Sequence, residues 1–95
     1  MNADTILKIE IDNLDRLCIY PNIEKFTMIW RSAKEVHWDN KGFLYSPKPR
    51  EWTYFDWYRQ ILGVVKDEYG FSLLLTEKTV FVNIPIVLKE QIISN

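Results

Sequence analysis

Cys18 and His37 are the single thiol and the single imidazole of the chain, and together they have the chemistry of a nucleophile and its base. Covalent catalysis needs such a pair within hydrogen-bond reach and a carboxylate to orient the base, a role open to Asp39. That site forms only if the strands carrying Cys18 and His37 are neighbours showing the same face, and nothing in the spacing demands it. An exposed strand histidine and a half-buried cysteine is the simpler expectation. One cysteine and one histidine do not make a zinc site, which wants closely spaced ligands. The paired carboxylates Asp67-Glu68 and Asp12 with Asp15 fall at a helix end and in a turn. No Gly-rich phosphate loop or dinucleotide fingerprint is present. The expectation is a protein that is not an enzyme and that uses no metal and no cofactor.

Binding chemistry has better candidates. Lys48-Pro49-Arg50 stands beside Trp52 and Tyr54, a basic and aromatic cluster able to meet an anion or a single strand, or to serve as a Pro-rich epitope itself. The plainer reading is a rigid surface loop whose tryptophan staples a helix. Gly63 falls in mid-helix, where glycine costs on the order of 1 kcal/mol relative to alanine. Close approach of another backbone, such as a dimer partner, would explain it; a tolerated imperfection would too. Lys48, Arg50, Trp52 and Gly63 are therefore the candidate interaction surface. Trp30, Trp38, Tyr58 and Phe81 are candidates to line a pocket between helix and sheet for a small apolar ligand, although filling the core is the simpler expectation for them.

Bulk properties narrow the classes. Ninety-five residues, 47% hydrophobic and 26% charged, with three Gly and four Pro, describe one globular domain over residues 1–95. A net charge of −1, well mixed along the chain, gives no electrostatic footprint for nucleic acid and no membrane tether. The lone cysteine rules out an internal disulfide and fits a reducing cytoplasm. MNADTILKIEID lacks the basic start and apolar core of a signal peptide, and no apolar run nears the roughly 20 residues that span a bilayer.

The elements that must position these residues follow from periodicity. Thr5 to Ile11 alternates, with Leu7, Ile9 and Ile11 inward, and Asp12-Asn13-Leu14-Asp15 supplies turn chemistry before a return strand over Arg16–Tyr20. Asn22 can cap a helix to about Lys34 with Ile23, Phe26, Ile29, Trp30 and Ala33 on one side. Val36–Asp39 and Phe43–Ser46 flank Asn40-Lys41-Gly42 as a second hairpin. The most definite element begins after Pro47 and Pro49. Thr53 and Asp56 have capping-box spacing, Trp52 and Trp57 have staple spacing, and an apolar stripe through Tyr54, Tyr58, Ile61, Leu62, Val65 and Tyr69 runs to a Gly70 cap. A third hairpin is expected from Phe71–Leu75 and Thr79–Ile84, then a short helix opened by Pro85.

The segments SPKPREW, YFDWYRQI, DEYG and VNIP resemble small bacterial proteins carried on mobile integron gene cassettes, over roughly Ile29 to Pro85. The resemblance rests on these words and on no catalytic motif, so it transfers no functional residues. It implies a compact, dimeric bacterial accessory protein. The sequence thus predicts an α+β fold: an antiparallel sheet of about six strands from three hairpins, two main helices packed on it, and a short C-terminal helix. Its expected role is that of a cytoplasmic interaction protein forming a homodimer or meeting another protein; the alternative is a small-molecule-binding domain.

Overall fold

A computed structural model describes residues 2–95. Strand β1 (Asn2–Ile11) is the axis of the sheet. It pairs antiparallel with β2 (Leu17–Pro21) through the predicted turn, where Asp12 Oδ1 accepts from the N–H groups of Leu14 at 3.0 Å and Arg16 at 2.9 Å. Beyond β2 lies β4 (Phe43–Ser46), and β3 (His37–Asp39) forms the edge. The β3–β4 turn also matches expectation: Gly42 adopts φ 103°, a conformation favouring glycine, and donates to Asp39 O at 2.8 Å.

Helix α1 (Tyr54–Tyr69) carries the chain from β4 across the sheet to β5 (Phe71–Leu74), packing over β2 and β5. Its signals act as read. Asp56 N–H donates to Thr53 Oγ1 at 3.1 Å, Thr53 N–H donates to Asp56 Oδ2 at 2.9 Å, and Gly70 closes the helix at φ 72°. Trp57, Tyr58, Ile61 and Val65 are the buried face. They join Ile6, Ile9, Ile19, Phe26, Leu44 and the Leu88 and Ile92 side chains of α2 (Ile86–Ser94) in one core cluster. Each fully buried aliphatic or phenylalanine side chain contributes about 1.5–3 kcal/mol. Both helices therefore cover the same face of the sheet.

Four expectations fail, each for a tertiary reason. The sheet is mixed and not purely antiparallel. The third hairpin is absent: β5 pairs parallel with Asn2–Thr5 of β1, and β6 (Val80–Val82) pairs parallel with Lys8–Glu10 farther along the same edge. The α1 crossover returns the chain beside β1 in β1's own direction, so β1, already present, takes the hydrogen bonds a hairpin partner would have taken. Thr79, which bonds Ile6 O through Oγ1 at 2.7 Å and accepts Thr76 N–H, pins the turn between the two segments.

The helix expected over residues 22–34 is also absent, so α1 is the single long helix. That segment turns irregularly, with a 3₁₀ turn at Ile29–Arg31. The buried carboxylate of Asp4 accepts from Ile23 N–H at 3.0 Å and Glu24 N–H at 2.9 Å, satisfying donors a helix would have had to cap. Phe26, Ile29 and Ala33 still reach the core, while Ile23 and Trp30 stay exposed. Phe26 meets Trp38, Tyr69 and Phe71 edge-on at 5.1–6.2 Å between centroids, an arrangement favoured by ring quadrupoles. Finally, a register shift between Ile6 and Lys8 puts Leu7 at 50% exposure and Ile6 in the core. A bulge reverses the alternation the pattern predicted.

Candidate functional site

The loop into α1 forms one wall of a groove. Pro47 and Pro49 fix φ along the segment and keep it extended. Tyr54 OH donates to Asp15 O at 2.9 Å, tying the helix start to the first hairpin turn. Trp52 then lies over Trp57, with centroids 5.0 Å apart and planes inclined by 49°. This is the predicted staple, yet Trp52 remains 45% exposed.

The opposite wall comes from Lys34 and Glu35. Val36 N–H donates to Ala33 O at 3.2 Å and closes this turn, placing Glu35 at φ 66°. A left-handed conformation costs a non-glycine residue about 1–2 kcal/mol. The two walls are joined by Arg50 Nη2 to Glu35 Oε1 at 3.4 Å, and Lys48 Nζ reaches Asp15 Oδ2 at 3.6 Å. All four side chains are well exposed, so each pair contributes about 0–1 kcal/mol. Between the walls is a groove of about 510 Å³ lined by Lys34, Glu35, Lys48, Arg50, Glu51, Trp52 and Trp57, together with Pro47 and Gln60.

Trp57 is 8% exposed, and its indole N–H has no acceptor; the buried Ser46 Oγ at the other end of the loop also lacks a partner. A buried donor left unpaired costs about 1–3 kcal/mol. Asp56, in the first turn of α1 and outside the groove lining, is held below the usual carboxylate range by hydrogen bonding to the Thr53 backbone and then its side chain.

Of the predicted interaction surface, Lys48, Arg50 and Trp52 therefore meet in one groove. Gly63 does not line it. It lies on the helix face of Asp56 and Gln60, farther along α1, and a Cβ there would meet nothing within 4 Å. The pocket quartet disperses. Tyr58 is core, Trp38 and Phe81 are half-buried against it, and Trp30 is exposed. Lys89 Nζ sits 5.0 Å from the Phe81 ring. None of the four lines this groove, whose far wall, Lys34 and Glu35, sequence reasoning missed. Those residues carry no glycine or asparagine to mark a left-handed turn.

Cys18 and His37 lie on the uncovered face of the sheet. Each pairs with Tyr45, so β4 separates them and the two sit about 10 Å apart, two strand spacings. Cys18 Sγ is 3.7 Å from Asp12 Oδ2, and burial, followed by the Asp12 charge, pushes its thiol up to about 12. Such a group stays protonated and weakly nucleophilic at neutral pH. Burial opposes ionisation of Asp12 as well, but the hydrogen bond from the Arg16 guanidinium and the N–H groups of Arg16 and Leu14 hold its carboxyl below the ordinary range. Among the described residues no three His, Cys, Asp or Glu side chains group as metal ligands, and no helix is long and apolar enough to cross a membrane.

Residues 4–79, a span containing the whole groove, match the family model of Integron Cassette Protein Hfx_Cass5. A solved structure from the mobile metagenome of North West Arm Sewage Outfall, also an Integron Cassette Protein Hfx_Cass5, is 37% identical. That comparison covers 96% of this chain and 92% of the other, with a TM-score of 0.50. No curated protein matches.

Proposed function

This chain belongs to the Hfx_Cass5 family of integron cassette proteins, and we propose that it is a non-enzymatic, cytoplasmic binding protein whose contact surface is the Trp52 groove. The observation that carries this reading is a groove that gathers Lys34, Lys48, Arg50 and the exposed Trp52 against the largely buried Trp57. The separation of Cys18 from His37 and the high pKa of the thiol support a role without covalent catalysis. A fragment screen by two-dimensional NMR on the whole chain tests the surface. Saturable shifts should cluster on the Trp52 and Trp57 indoles and the Lys48–Arg50 amides. A cluster elsewhere, or none with any fragment, would sink the reading.

A second reading, homodimerisation, has its own observation. Helix α2 is apolar around most of its circumference, a composition found in helices buried on all sides. Here Leu88 and Ile92 face the core, whereas Ile86, Val87 and Ile93 stand 73%, 66% and 57% exposed. Light scattering should give twice the chain mass, and Ile86→Lys with Ile93→Lys should halve it. A clean monomer at high micromolar concentration would remove this reading and leave the groove untouched.

A further inference from the structure

We infer that the groove takes a flat aromatic molecule bearing a carboxylate; this rests on the groove being the contact surface. The geometry supplies each half of that ligand. For the flat part, Trp52 presents an exposed face and Trp57 backs it at 5.0 Å, so a planar ring entering beside them extends an existing aromatic pair. Offset or tilted ring contacts of this kind are favourable beyond the area they bury. The volume of about 510 Å³ falls within the range of small-ligand sites.

The carboxylate follows from the balance of donors and acceptors. Lys34 has no ion pair among the described residues, and the Arg50 guanidinium spends one contact of 3.4 Å on Glu35. Guanidinium offers five N–H donors in a fixed fork that matches a carboxylate, so most of its capacity is free. The opposing acceptors are Glu35 and Glu51, and Glu35 is already engaged by Arg50, so three cations face two carboxylates. A ligand rich in donors would compete with three cationic side chains, whereas one with two charged acceptor oxygens would use them. The Glu35–Arg50 pair is exposed and weak enough to open for such an exchange. Lys48, held loosely by Asp15 at 3.6 Å, adds long-range attraction.

The test uses 2-naphthoate, the neutral 2-naphthalenemethanol, and acetate, each titrated into the whole chain with the indole resonances as readout. Naphthoate should shift both Trp52 and Trp57 indole signals and bind about tenfold more tightly than the neutral alcohol, the worth of a charge-assisted hydrogen bond. Acetate should bind too weakly to saturate. Lys48→Gln with Arg50→Gln should bring naphthoate down to the affinity of the alcohol without changing the alcohol's own affinity or the melting temperature. Equal affinities for naphthoate and the alcohol would overturn the carboxylate while the contact surface stands. Groove signals unmoved by all three probes would overturn the ligand class, and the fragment screen then decides whether the surface falls with it.

Discussion

The uncovered sheet face and the groove, two surfaces rich in ionisable and aromatic side chains, are built on opposite terms. On the uncovered sheet face the groups are matched to one another. Lys8 lies 4.3 Å from the Tyr20 ring, Arg16 lies 4.4 Å from the Tyr45 ring and 2.7 Å from Asp12, and Tyr20 meets Phe43 at 4.7 Å with the planes inclined by 35°. In the groove the charged pairs are longer and exposed, a backbone residue is left-handed, and a buried donor is alone. Cross-strand neighbours on a regular sheet are held about 5 Å apart by the backbone, so complementary side chains meet without further expense. Loops impose no such spacing. A region whose groups already answer each other gains little from a ligand; one with unanswered donors has something to gain.

That contrast can be broken at three points. The largest effect should come from Asp12→Ala, which removes the acceptor of two backbone N–H groups and leaves Arg16 unpaired; a loss of about 2–3 kcal/mol in denaturant unfolding is expected. Because the folded carboxyl titrates below its unfolded value, its stabilisation is present above about pH 4 and lost as pH falls through the folded value. Asp12→Asn should flatten that acid limb, and an unchanged limb would mean the sheet-face pairing is not energetic.

A smaller effect should appear at the alkaline end. The Cys18 thiol is raised from 9.0 to about 12, so its contribution is complete below about pH 9 and disappears as pH rises through 12. Cys18→Ala should cost about 1 kcal/mol at neutral pH and reduce the alkaline slope. In the native protein the thiol should react with a disulfide reagent only as fast as the chain opens. Fast labelling at pH 8 would place Cys18 outside the matched network.

The smallest effect belongs to the groove. Lys48→Gln and Arg50→Gln should each change unfolding free energy by less than about 0.5 kcal/mol, because exposed ion pairs contribute little. A loss above about 1 kcal/mol would make these pairs structural and erase the difference between the two surfaces.

Legibility in the sequence followed the range of the interactions. Thr53, Asp56, Trp52, Trp57 and Gly70 are fixed by neighbours within one helical turn, and the structure reproduces all of them. Lys48, Arg50 and Trp52 could be singled out because they sit in one loop of the sequence. Their partner wall at Lys34 and Glu35 could not, since it is brought there only when the chain closes on itself.

The sequence by itself determined the first two antiparallel pairs, the start, stripe and end of α1, and the family, because each depends on spacing or short words. Tertiary structure alone decided that Asp4 holds the backbone at Ile23 and Glu24 in a turn. It also decided that Leu7 bulges outward and that β5 and β6 run parallel along β1. Alternating apolar residues specify a strand but not its partner or direction. Those depend on which edge is free when the strand arrives, and here the α1 crossover delivers it to β1.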